Sequence, residues 1–143
     1  MIELGERYYY IDDYNDIEYF HYDEGYTWMD AIIRERGVYR TRDEAEWVFK
    51  QYEFIEEVVN DFSTNVDWDD FDEAKYYIDL EASDDGWKAV VKRTYVLIDG
   101  VRFYSHDRFP LYNYVKNHQK ELLEYFFGIG GVEPVERITG TVV

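Results

Sequence analysis

Two short stretches recur in the chain, Tyr9-Tyr10-Ile11-Asp12 and Tyr76-Tyr77-Ile78-Asp79. Each joins rings and a β-branched residue, which suit a strand, to an acid that suits a turn. The segments after the two copies also correspond: a hairpin, a short strand ending in an aromatic residue and a hydroxyl, then an amphipathic helix. Tyr10-Ile11-Asp12 matches Tyr77-Ile78-Asp79 at an offset of 67 residues, and Thr41 matches Ser105 at 64. The pattern predicts an α+β fold, with antiparallel sheet and two main helices at 42–60 and about 108–127. It also reads as a duplicated βββα unit, with repeats at 5–62 and 73–128. Chance similarity between two α+β halves is the competing reading. The length of 143 residues fits one domain, 1–143.

The individual signals are local. Tyr8–Asp12 reads as a strand, Asp12, Asp13 and Asn15 as its turn, and Ile17–Tyr22 as the returning strand. Residues 27–37 fit a short helix or an irregular strand, and Val38–Arg40 a third short strand. Thr41 and Glu44 have capping-box spacing, and Ala45, Val48, Phe49, Tyr52, Ile55 and Val59 come after them at helical intervals. Ser63–Asp70 reads as a polar linker and Tyr76–Glu81 as a strand. Ser83-Asp84-Asp85-Gly86 is a hairpin turn, Trp87–Leu97 a long strand, and Asp99-Gly100 a turn into a strand over Val101–Tyr104. Pro110 belongs in the first turn of the second helix, which places its N-cap at Ser105 or Asp107. Leu111, Val115, His118, Leu122 and Tyr125 or Phe126 form its apolar stripe, and Gly128 caps its end. The tail, 129–143, adds a strand or stays loose.

Between Tyr8 and Trp28 rings and carboxylates alternate almost without bases. Residues 1–30 hold nine acids, and Arg7 is their only base; the whole chain carries a net charge of −17. Aromatic residues make up 20% of the chain, too many for an acidic disordered tail. The run therefore reads as both fold and surface, with alternate rings in a sheet and carboxylates on its turns and open face. Such a surface repels nucleic acid and anionic lipid and attracts basic protein surfaces. Carboxylates spaced along a rigid edge imitate phosphates, and tyrosines beside them add contact area at low entropic cost.

Several chemistries have little support. The absence of cysteine excludes disulfides and thiolate sites, and fits a reducing compartment. The N-terminus lacks the pattern of a secretory signal, and no apolar run matches a membrane span. His21, His106 and His118 form no metal or nucleophile motif, and His118 falls on an apolar helix stripe. The cluster Gly128–Gly131 comes after a helix and lacks a phosphate-loop lysine. Asp61, Ser63, Asn65, Asp67, Asp69 and Asp72 have the oxygen spacing of a calcium loop, but Val66 replaces the turn glycine. No catalytic residue, cofactor or metal is assigned, and no enzyme is expected.

The segments GERYYYID, VYRTRDEAE, VDWDD, KYYIDL and FYSHDRF, with a helix ending LLEYFFG, resemble a family of small uncharacterised acidic proteins from phages and prophages of Gram-positive bacteria. The resemblance covers nearly the whole chain, departs at RFPLYNY, and implies a phage or mobile-element origin without any shared activity. With the charge, it leads to the expectation of an inhibitor in the bacterial host cytoplasm. This inhibitor would bind the basic nucleic-acid-binding surface of a defence protein, a CRISPR effector nuclease or a restriction enzyme. It would not bind nucleic acid or membrane itself. The expected contact residues are Asp12, Asp13, Asp16, Glu18, Asp23, Glu24, Asp67, Asp69, Asp70 and Asp72, with Tyr14 and Tyr22. The rival expectations are an accessory phage protein whose acidity serves solubility, and a small-molecule or second-messenger binder with an aromatic pocket.

Overall fold

The structure, a computed structural model, describes residues 2–129 and 135–140. It is of the α+β class, with two antiparallel hairpins and helices. The chain divides into two compact units, one of Met1–Tyr52 with Glu133–Val143, the other of Glu53–Val132. Helix α2 (Arg42–Phe62) contributes to both.

In the first unit β1 (Arg7–Ile11) pairs with β2 (Ile17–His21), Tyr9 facing Tyr19 and Ile11 facing Ile17. Asp12 makes the turn between them: its Oδ1 accepts the Tyr14 and Asp16 N–H groups, both at 2.9 Å. Asn15 takes the left-handed conformation (φ 63°) that asparagine tolerates. The ambiguous segment after the hairpin is a helix, α1 (Thr27–Glu35), because Met29 and Ile33 are one turn apart and both buried. Val38 and Tyr39 do not extend into a full strand. Tyr39 bridges Tyr9 and Val38 bridges Ile138, so part of the tail adds to this sheet. Tyr8, Phe20, Tyr22, Ile2 and Ile33 anchor the core. At the start of α2 the Glu44 N–H donates to Thr41 Oγ1 at 3.2 Å, the N–H half of the expected capping box.

In the second unit β3 (Lys75–Ser83) pairs with β4 (Gly86–Thr94) through a two-residue turn, where Ser83 Oγ donates to the Gly86 carbonyl at 2.9 Å. Tyr76 exchanges both backbone bonds with Ser105, at 2.8 and 2.9 Å. Both units thus set the hairpin's first strand between its partner and a bridge just ahead of a helix. Helix α3 (Arg108–Asn117) comes next, with Pro110 in its first turn and Asp107 at its N-cap. The core gathers Val58, Ile78, Ala89, Leu111, Val115 and Leu122.

Two expectations are corrected here. Val101–Tyr104 is not a strand, since only Ser105 bonds to β3. The second helix is not continuous to 127. It breaks at His118, resumes as α4 (Gln119–Glu121), and widens into a π-helical turn over Leu122–Phe126. Gly128, at φ 67°, closes it as expected, and the Ile129 N–H donates to the Leu123 carbonyl at 2.7 Å. Gly130 and Gly131 of the glycine cluster, and positions 132–134 and 141–143 of the tail, lie outside the described residues.

Candidate functional site

The structure sorts the expected contact residues into those free to meet a partner and those the fold employs. Asp16, Glu18, Asp23 and Glu24 are exposed around the first hairpin, and Tyr14 at its tip is 86% exposed. Asp12 is half-buried and spends its carboxylate on the turn. Asp13 is exposed but ion-paired with Arg36, whose guanidinium also donates to the Ile11 carbonyl at 3.1 Å. The bond to Asp13 is the first cause of the raised Arg36 pKa. Tyr22 does not belong on a contact surface. It is 6% exposed in the core, and its hydroxyl donates to Asp30 Oδ1 at 2.9 Å. That bond, then burial and the charges of Asp30, Glu24 and Asp23, raise its pKa.

The second acidic group, Asp67, Asp69, Asp70 and Asp72, is exposed in the second unit. Asp67 Oδ1 accepts the Asp69 N–H at 2.9 Å, and Asp70 Oδ1 accepts the Asp72 N–H at 3.0 Å. Glu73 Oε2 accepts the Asp67 N–H at 3.1 Å. These carboxylates fold the segment into successive turns, which is the role short acidic side chains take in loops.

A further acidic surface, absent from the expected set, lies on the C-terminal half of α2. Glu53, Glu56, Glu57 and Asp61 line one shallow concavity together with Asn60. Their spacing puts them on one helix face, and the last turn of α2 holds no base. Burial raises the pKa of Tyr114 to about 12, and the charges of Glu121, Glu57 and Asp61 add to the effect. The Tyr114 ring is stacked on His118 at 4.0 Å, and the His118 Nδ1 lies 2.9 Å from the Tyr114 carbonyl oxygen. The sequence carries the signal for this stripe in the polar positions of α2, where acids at 53, 57 and 61 recur at helical spacing.

Three comparisons bear on identity. No protein-family model matches the chain. No curated protein matches it significantly, and neither does any solved structure.

Proposed function

We propose that the protein is an acidic inhibitor, of the kind a phage encodes, that occupies the basic nucleic-acid-binding surface of a bacterial defence protein. A CRISPR effector nuclease is the first partner to test and a restriction enzyme the second. The observation that carries this reading is the stripe Glu53, Glu56, Glu57 and Asp61 on α2. Like charges one turn apart destabilise a helix, and acids in its C-terminal half oppose the helix dipole. Neither effect stabilises the helix, whereas a basic partner would be complementary to the stripe.

The geometry suits such a partner. Carboxylates at 53, 57 and 61 recur about every 6 Å along the helix axis. Alternate phosphates of one DNA strand recur at roughly 7 Å along the duplex axis. The exposed Asp16, Glu18, Asp23, Glu24 and Tyr14 offer a second patch of the same character. Opposite charges would speed encounter, with a strong dependence on salt.

The test is competition. The protein is expected to displace guide RNA or target DNA from a purified effector nuclease, or DNA from a restriction enzyme, with displacement weakening as salt rises. Failure to displace nucleic acid from any basic partner would assign the acidity to solubility alone.

A further inference from the structure

The hairpin β3–β4 has two outer edges, and they are treated differently. On β4 the edge is closed at Ala89. The Gln119 side-chain amide accepts the Ala89 N–H at 2.9 Å and donates to the Ala89 carbonyl at 2.7 Å, as a neighbouring strand would. On β3 the edge is closed at Tyr76, which exchanges both its backbone bonds with Ser105. Continuing that antiparallel register would set Ile78 against Phe103 and Leu80 against Val101. Neither pair bonds.

The chain is held away from β3 by its own anchors. Phe103 is buried, its ring 6.3 Å from that of Phe126. Arg102 lies over the Phe126 ring at 5.2 Å. The Tyr104 hydroxyl takes the Ile98 N–H at 2.9 Å and donates to the Ile98 carbonyl at 3.0 Å, fixing the loop that turns at Gly100 (φ 81°). A groove of about 560 Å³ remains between β3 and residues 98–102, with Phe126 and Phe127 in its lining. The π-helical turn Leu122–Phe126 leads directly into these two rings, and such turns concentrate at functional sites.

The register fixes what the β3 edge presents: Ile78 lines the groove, and Leu80 and Ala82 continue the edge beyond it. Positions 78, 80 and 82 share the parity of Tyr76, so their N–H and C=O groups point away from β4. The Leu80 N–H turns to Asp79 Oδ1 at 2.8 Å. Among the described residues, the outward backbone groups of Ile78 and Ala82 and the carbonyl of Leu80 have no protein partner. Ile78 is only 6% exposed. Paired backbone groups are the rule at buried positions, and an open edge is a template for another strand.

We propose that this edge, Ile78–Ala82, binds an extended segment of a partner protein by strand addition, with apolar side chains directed at Phe126 and Phe127 and basic side chains between them. The basic character stems from the exposed acids along the edge, since the lining cation Arg102 is already over the Phe126 ring and the lining acid Asp79 is paired with Lys92. Asp99 is exposed in the groove lining, and Glu81, Asp84 and Asp85 are exposed beyond the groove, along the rest of β3 and its turn. A second copy of this chain would bring a further net charge of −17 and the same acids to the edge. The inference is independent of the inhibitor reading, because neither the α2 stripe nor the first hairpin takes part.

The probe is a synthetic peptide of about seven residues alternating Lys and Val, a length that matches an ordinary strand. A second peptide of identical charge carries N-methyl groups on alternate amides. Binding to the full chain is monitored by amide chemical shifts. The first peptide is expected to bind with its largest shifts at Ile78, Leu80 and Ala82. N-methylation is expected to weaken it about tenfold or more, since several backbone bonds are lost. Ala82→Pro removes an N–H that β4 does not use, so it is expected to weaken the peptide while leaving Tm within a few degrees. Equal binding of both peptides, or binding insensitive to Ala82→Pro, would reduce the interaction to charge attraction and overturn the proposal. So would no binding at all, or a dimer of the free protein that Ala82→Pro dissociates.

Discussion

The ammonium of Lys75 sits 5.1 Å from the centre of the Trp68 ring. Lys75 is fully buried, and it donates to the Asp70 carbonyl at 2.8 Å and the Glu73 carbonyl at 3.1 Å. One lysine thereby secures the acidic turns that precede β3. Lys75→Met keeps the stem and removes the donor, and is expected to cost roughly 1–3 kcal/mol, as for a buried charged hydrogen-bond donor. Urea unfolding measures it, and amide exchange should accelerate first at Asp69 and Asp72. A midpoint equal to wild type would show that Lys75 does not hold this segment.

Asp12 and Asp16 separate fold from surface within one turn. Asp12→Ala removes an acceptor used by two backbone N–H groups and should cost about 1 kcal/mol, whereas Asp16→Ala should be nearly neutral. Thermal melts of the two variants compare them directly. Equal effects would mean that the turn does not depend on the Asp12 carboxylate.

Tyr114 predicts an alkaline response. Its folded pKa is about 12 against an ordinary value of 10.0, so the unfolded chain loses this proton first as pH rises. The stability that its neutral form contributes is complete below pH 10 and is lost as pH rises toward 12. Tyr114→Phe should flatten that part of the stability curve. Glu57→Gln with Asp61→Asn should lower the late phase of the tyrosinate absorbance titration. A titration curve unchanged by the double substitution would remove Glu57 and Asp61 as causes and leave burial and Glu121.

Gly37 tests the end of α1. Its φ of 81° is left-handed, and a Cβ there would lie 2.6 Å from the Arg137 side chain. Gly37→Ala is expected to cost about 1–2 kcal/mol. Adding Arg137→Ala to it should recover only the steric part, since the backbone strain stays. Complete recovery in a double-mutant cycle would locate the whole cost in the contact.

The features legible in the sequence were local ones. Thr41 and Glu44, Asp12 and Asn15, Ser83–Gly86 and Gly128 announced their turns and caps because a side chain or a φ angle a few residues away decides them. Val101–Tyr104 carries a strand pattern, yet whether it joins β3 depends on Phe103 and Arg102 being drawn to Phe126, a contact between distant parts of the chain. The break at His118 is equally non-local, since Gln119 is drawn to Ala89 on β4. For the candidate site, acidity was legible but its division of labour was not. Asp13 and Arg36 are 23 residues apart, and nothing near Asp13 shows that its charge is already matched.

The last prediction concerns the acidic surfaces. Reversing Asp12 and Asp13 would disturb the turn as well as the surface, so the informative set is Asp16, Glu18, Asp23 and Glu24 changed together to Lys. Each is exposed, and single exposed charges contribute little, which is why the change must be collective. This variant should lose most of its ability to displace nucleic acid from a basic partner, and Glu3→Lys with Glu6→Lys should not. For the α2 stripe, Glu57→Gln with Asp61→Asn should stabilise the free protein by roughly 0.5–1 kcal/mol, because it relieves repulsion along the helix and at its C-terminus. The same pair should weaken competition. Stability and inhibition moving in opposite directions is the outcome that distinguishes a surface kept for a partner from one kept for solubility. If the stabilised variant competes as well as wild type, the stripe is not part of the contact.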